Sequence, residues 1–262
     1  MCLAVIALGV HPKYPLVVAA NRDEFHARAA SPAAWGDTPP WHSILAGRDL
    51  EAGGTWFGVR RDGRFALVTN VRSGHDRRPG ARSRGELVPR LLAADGTPAH
   101  MVTMLDAERD AYAGVNVLAG SVAGAVWWSN RGTTARTLAA GVHGLSNAGL
   151  DTPWPKVVFA TAALRAWAMR GEVDCALMFE MLRNRDPVPD VALPVTGVAR
   201  EWERLLATPF IVDARYGTRC ATVLTIDRNG EARLHERTFA PNGTASGDAI
   251  HLFTTSPRPQ TP

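Results

Sequence analysis

The sequence predicts an α+β fold in which antiparallel sheet is layered with helices. Three observations carry that reading. Strand-like and helix-like segments come in blocks, without the regular alternation of βαβ units. Two pairs of strand segments are joined at Asp62-Gly63 and Asn229-Gly230, dipeptides that favour tight hairpin turns. No repeat or linker divides the 262 residues, a length that supports one large core. The reading is one domain over residues 1–257, with 258–262 as a tail.

Each element has its own signal. Leu3 to Leu8 is an unbroken apolar run, expected of a strand buried on both faces. HPKYP supplies turn residues, and LVVAAN (16–21) reads as the partner strand of a hairpin. The Ala- and Pro-rich stretch from Phe25 to Trp41 reads as loop. Residues 55–60 and 64–70 form the second hairpin. Ser83-x-x-Glu86 is a capping-box pattern opening a helix to about Ala94. Thr97-Pro98 pairs an N-cap with proline at the first helical position, opening a helix to about Glu108. AGVNVLAG and AGAVWWSN read as strands. Val157, Thr161, Leu164 and Ala168 recur at helical spacing within 154–170, and a further helix covers about 174–184. PFIVD, RCATVLTID and EARLHERTF read as the closing strands.

Composition narrows the function. An apolar fraction of 46% and a charged fraction of 21% are ordinary for a soluble protein. The formal charge of +4 comes from arginines, since Lys13 and Lys156 are the only lysines, and it does not single out nucleic acid as a partner. Cys2, Cys175 and Cys220 are odd in number and form no CxxC pair. Neither a disulfide framework nor a zinc site is indicated, and a reducing, cytoplasmic location is expected. No segment has the ~18 apolar residues of a membrane span. The opening LAVIALGV lacks the basic flank of a secretory signal.

Cys2 has two readings. As a small apolar residue it packs the head of a strand. Once Met1 is removed it carries a thiol and a free α-amine on one residue. That amine, with a reference pKa of about 7.7–8.0, can take the thiol's proton near neutral pH, so nucleophile and base come together. Polar groups gather at the ends of apolar strands: Asn21, Arg22, Asp23 and Glu24 after LVVAA, Asn70 and Arg72 after FALVT, Ser146 and Asn147 after GVHGL, and Arg219 before CATVLTI. Amide chemistry needs donors for an oxyanion, a cation for a thiolate or substrate anion, and an acid to hold the amine. Asn70 and Asn147, Arg22 and Arg219, and Asp23 supply those types. Asn21, Glu24, Arg72 and Ser146 are candidates for the surrounding ligand contacts. Each is also an ordinary capped strand end. Gly53-Gly54-Thr55-Trp56 either lines a pocket, with Trp56 as a flat wall, or is a glycine turn before a core tryptophan.

The ordered series MCLAVIAL, ANRDEF, GGTWFGV, ALVTNVR, SRGELV, GLSNAGLDTPWPKV and YGTRCATV resembles the motifs of the NRDE family, also called the Transport and Golgi Organization protein 2 family. The matches run from residue 2 to about 225. That resemblance implies an N-terminal-nucleophile hydrolase-like fold, a four-layer αββα sandwich with two antiparallel sheets between helical layers. Choloylglycine-type amide hydrolases of that fold use an N-terminal Cys, an Arg and an Asp, two Asn and a late Arg. Carried over, these suggest Cys2, Arg22, Asp23, Asn70, Asn147 and Arg219, although their Asp lies further from the Arg than Asp23 lies from Arg22. The implied activity is hydrolysis of a linear amide or acyl bond of a small molecule, with no cofactor required. Eukaryotic members are associated with haem trafficking and with lipid or acyl-CoA homeostasis, so a haem, acyl-CoA or lipid carrier is the alternative. His26 and His143 lie nearest the expected cleft but read as structural. The Arg-rich loop 71–85 either meets anionic ligand groups or is simply solvated.

Overall fold

The computed structural model describes residues 3–74, 80–132 and 134–256. Met1, Cys2, Thr133 and residues 257–262, which include the 258–262 tail, therefore lie outside the described residues, as do 75–79 of the Arg-rich loop. Strands β1 (Leu3–Leu8) and β2 (Leu16–Phe25) pair antiparallel as the first hairpin, and β2 continues through the polar Asn21–Glu24 stretch. The next segment corrects the loop reading. Ala30–Trp35 is a strand, β3, paired with β4 (Ile44–Asp49). β3 is an edge strand of small residues, and Pro32 sits where its register shifts between Ser31 and Ala34. An edge bulge tolerates the missing N–H, and alanines leave no hydrophobic alternation to read.

The second hairpin is β5 (Phe57–Arg60) and β6 (Phe65–Asn70). Its Gly63 and the later Gly230 both adopt a φ of 81°, the left-handed geometry those turns require. Helix α1 (Leu87–Ala93) follows a short 3₁₀ turn at Arg84–Glu86, and the Ser83 side chain makes no capping hydrogen bond there. The capping box thus marked the right place without forming. Thr97 does cap α2 (Pro98–Thr103), accepting from the His100 N–H. After β7 (Val115–Ser121), β8 (Gly124–Ser129), β9 (Arg136–Thr137) and β10 (Gly141–Leu145) come α3 (Pro155–Arg170), α4 (Ala176–Leu182) and α5 (Arg200–Leu205). PFIVD is not a strand. Phe210 and Ile211 are buried in a connection whose sheet pairing is a single bridge from Val212 to Gly217. The chain closes with β11 (Tyr216–Ile226), β12 (Glu231–Phe239) and β13 (Ala245–Thr254).

These strands form two antiparallel sheets, ordered β10-β1-β2-β11-β12-β13 and β3-β4-β5-β6-β7-β8-β9. Alternation along the strands builds three apolar layers. Ile6, Val18, Leu224 and Leu234 meet Leu45, Val59, Leu67 and Leu118 between the sheets. Val5, Val17, Ala19 and Val223 face away, onto Leu164 and Trp167 of α3 and Phe179 of α4. On the other outer face, Ala66, Val68 and Val117 pack on Leu91 and Leu92 of α1 and Val102 of α2. The arrangement is the expected αββα sandwich. β1 and β2 are buried on both faces because they are central in their sheet, which is why their sequence is continuously apolar.

Candidate active site

The polar end of β2 is divided by the strand's two-residue period. Asn21 and Asp23 continue the row of Val17 and Ala19, toward the helices. The Asn21 side-chain amide, fully buried, donates to the Leu182 and Pro209 carbonyls at 2.8 Å each, tying β2 to the end of α4 and the 207–212 connection. It is an internal anchor. Asp23 accepts from the Thr218 hydroxyl at 2.7 Å, and Thr218 in turn accepts from the Ile211 N–H at 2.9 Å. Arg22 continues the row of Val18 and Ala20, toward the second sheet. Arg22 and Asp23, adjacent in sequence, thus serve opposite faces of one sheet.

Arg22 is 4% exposed. Its guanidinium lies 4.2 Å over the Trp56 ring, within cation–π range, and Nη2 stands 3.6 Å from Asp49 Oδ2. Among the described residues, its Nη1 has no hydrogen-bond partner. Asp49 takes its principal bond from Arg28 Nε at 2.7 Å, and Arg28 also reaches Glu24 at 4.0 Å. Burial opposes the Asp49 charge, but the Arg28 hydrogen bond and the Ala52 and Glu51 N–H groups outweigh it and hold the carboxyl below its usual range. Arg22, Trp56 and Asp49, with Asn70, Ser83 and Arg84, line a cleft of about 340 Å³. The glycines of the GGTW and SRGE stretches build its wall by packing on each other. A Cβ on Gly54 would stand 2.5 Å from the Gly85 carbonyl carbon, and the Thr55 N–H donates to that carbonyl at 3.0 Å. The close approach those glycines permit is between two backbones.

Arg22 and Trp56 also wall a second cleft of about 210 Å³, with Arg219, Cys220, Glu236 and Thr238. Arg219 occupies the β11 register shift between Thr218, opposite Asp23, and Cys220, opposite Arg22. Such a bulge re-aims a side chain. Arg219 Nη1 donates to the Phe25, His26 and Arg28 carbonyls at 3.0, 3.1 and 3.1 Å, so it holds the β2–β3 turn. Burial lowers its pKa, and the nearby positive charge of Arg22 adds to that. Glu236 is the residue that sequence reasoning missed. It is 2% exposed and accepts from the Ala33 N–H at 2.7 Å and the Thr222 hydroxyl at 3.1 Å. Burial raises its pKa, and burial likewise pushes the Cys220 thiol well above its ordinary value. A signal was present: Glu236 follows Ala232 and Leu234 at inward positions of its strand, where a charge is out of pattern.

Asn70, Arg72, Ser146 and Asn147 meet at the ends of β6 and β10. Asn147 Nδ2 donates to the Asn70 carbonyl at 2.8 Å, and the Arg72 N–H donates to the Asn147 carbonyl at 2.7 Å. The Ser146 carbonyl accepts from the Thr69 hydroxyl at 2.7 Å. The Arg72 guanidinium donates to Glu203 Oε2 at 2.6 Å and stacks 4.7 Å from the Trp154 ring. This is a clamp joining the two sheets to α5, with Asn70 reaching the cleft from it. Both ring nitrogens of His143 are engaged, by Asp151 and the Ala139 carbonyl, and His26 Nε2 is held by the Asp213 carbonyl. Among the described residues no cluster of three or more metal-ligating side chains occurs. Cys2 lies outside them, and Leu3, to which it is bonded, pairs with Asn21. No helix among them is long and apolar enough to cross a membrane.

The sequence profile described as Transport and Golgi organisation 2 matches residues 1–241. The mouse Transport and Golgi organization 2 homolog is 31% identical over 94% of this chain and 95% of its own length. The cattle homolog is 33% identical over 91% and 93%. Among solved structures, the Caenorhabditis elegans ortholog of N-acylethanolamine-hydrolyzing acid amidase superposes with a TM-score of 0.52 at 12% identity, covering 85% of this chain and 92% of its own. A mutant conjugated bile acid hydrolase from Clostridium perfringens gives 0.50 at 9%, covering 98% of each. At those identities the likeness establishes the fold alone, that of N-terminal-nucleophile hydrolases.

Proposed function

The chain belongs to the Transport and Golgi organisation 2 family, and on that premise we propose that it hydrolyses a linear amide or related acyl bond of a small molecule, with Cys2 as nucleophile. One observation carries this reading: the head of β1 pairs with β2 at Asn21, next to the buried Arg22 whose cleft is open to a ligand. In the proposed reaction, removal of Met1 exposes the Cys2 α-amine, which takes the thiol proton. The thiolate attacks the carbonyl carbon and forms a tetrahedral oxyanion. The C–N bond then breaks, the departing amine takes the proton from the α-ammonium group, and a thioester remains. Water attacks the thioester with the α-amine as base, releasing the carboxylic acid and restoring the thiol.

The surrounding residues divide that work. The positive charge of Arg22 favours the thiolate through space. Asn70, at the cleft, supplies an oxyanion donor, and Asn147 positions it by holding the Asn70 carbonyl. Asp23 holds the ammonium form of the amine. Arg219 shapes the β2–β3 turn beside the site.

The test pairs intact mass with turnover. Protein from its native host is expected to lack Met1, and Cys2→Ala is expected to abolish hydrolysis of small amides while leaving the melting temperature nearly unchanged. Quantitative retention of Met1, or turnover surviving Cys2→Ala, would sink the assignment. A co-purified haem, acyl-CoA or lipid whose binding survives Cys2→Ala, with no turnover in either protein, would instead mark a carrier on the same scaffold.

A further inference from the structure

A buried guanidinium N–H without a partner is costly, because burial removes the water that would have satisfied it. Among the described residues, Arg22 carries such a group at Nη1, with the residue 4% exposed and lining the larger cleft. The acidic side chains nearby do not answer it. Arg28 engages Asp49 at 2.7 Å and Glu24 at 4.0 Å, and Asp49 is 3.6 Å from Nη2 of Arg22. Across the cleft stand Arg84, which holds the Gly114 carbonyl at 3.2 Å, and Arg82, which is paired with Glu86 and Glu108. At about 340 Å³ the space is at the small end of ligand pockets and is walled mainly by polar side chains.

We propose that the substrate carries an oxyanion, a carboxylate or a phosphate, and that it docks against Nη1 of Arg22 with its flat or apolar part along Trp56. This rests on the hydrolase reading and deepens it by naming the substrate class: a small acidic amide or acyl compound, in contrast to a neutral long-chain one. The charge distribution agrees. The wall of the larger cleft carries the guanidiniums of Arg22, Arg28, Arg82 and Arg84 against the carboxylates of Glu24 and Asp49, an excess of positive charge. The smaller cleft is the poorer seat, because it is smaller and sets only Arg22 and Arg219 against Glu236, with Arg219 already spent on backbone carbonyls. A charge-assisted bond to a guanidinium is the strong kind, so the anion is the group that sets discrimination.

Equilibrium binding on the Cys2→Ala protein separates this from catalysis. Titration calorimetry would compare three probes of similar length: N-butyrylglycine, N-butyrylphosphoethanolamine and the neutral N-butyrylglycinamide. At low salt at least one anionic probe is expected to bind about tenfold or more tighter than the neutral one. That preference should shrink at high salt and fall close to unity in Arg22→Gln. If Arg22→Gln fails to fold, Arg84→Gln at the rim is expected to weaken the anionic probes about threefold and leave the neutral one unchanged. Equal binding of all three probes, or a preference that survives Arg22→Gln, overturns the proposal; so does a preference insensitive to both salt and Arg84→Gln. The two anionic probes show which oxyanion is taken. An intact preference in a protein that never turns over an amide sinks only the hydrolase reading. Turnover without the preference sinks only the oxyanion site.

Discussion

Arg22 and Arg72 look alike in sequence, each an arginine just past an apolar strand stretch, yet they stand in opposite kinds of environment. Arg72 is internally answered: Glu203 takes its Nη1 at 2.6 Å, the Leu206 carbonyl lies 3.4 Å from its Nη2, and Trp154 covers its face. Arg22 is more deeply placed in its sheet and less answered, with an aromatic face, a 3.6 Å carboxylate and a buried Nη1 that has no hydrogen-bond partner among the described residues. The first is a clamp and the second a receptor. Charge at a strand end identifies neither role. What separates them is the account of partners.

Removing the clamp should have the largest effect on stability. Arg72→Ala leaves Glu203 buried with, among the described residues, only the Thr196 N–H and hydroxyl as donors, and breaking a buried pair of this kind costs about 3 kcal/mol or more. Urea denaturation should show that loss while ligand affinity per folded molecule changes less than about twofold. An unmoved midpoint would mean the clamp contributes nothing. Arg22→Gln should invert the pattern. Loss of its cation–π contact is expected to lower stability by about 1 kcal/mol, whereas the preference of the cleft for anionic probes is lost. If instead stability falls as far as in Arg72→Ala with that preference retained, the two regions are not distinct.

The smallest effect is a difference in pH dependence between the two carboxyls near Arg22. Asp49 has its folded pKa depressed, so its stabilisation is complete above the unfolded value of about 3.9 and is lost as pH falls through the folded value. Glu236 has its folded pKa raised by burial. Above the unfolded value of about 4.3, the unfolded chain releases that proton first, and stability declines until the folded carboxyl ionises too. Glu236→Gln is expected to flatten the decline above about pH 4 in a series of denaturation curves. An unchanged slope in the variant would show that Glu236 does not titrate differently on folding.

Much of the fold was legible because it rests on local pattern. Leu3–Leu8 reads as a doubly buried strand from its continuity, and Asp62-Gly63 and Asn229-Gly230 fix two hairpins through backbone geometry that those residues favour. Thr97-Pro98 opens a helix by local bonding alone. β3 and β4 were not legible, because Ala30–Trp35 draws its strand character from pairing with Ile44–Asp49. PFIVD failed for the converse reason. Its apolar residues are buried, but by docking on α4 and β12 as part of the core layer, without a ladder.

The candidate site divides along the same line. The sequence by itself determined which polar groups stand at strand ends, since a hydrophobic run that stops abruptly must deliver its next side chains to the rim of the sandwich. It also placed Arg22 and Asp23 side by side. Only the tertiary structure decided that they face opposite sides of the sheet, that Asn21 and Arg219 hold backbone carbonyls, and that Arg72 and Asn147 form a clamp. Hydrogen-bond partners far apart in the chain settle those questions. The pairing of Arg22 with Trp56, and of Gly54 with Gly85, comes from loops that meet only when the two sheets close on each other.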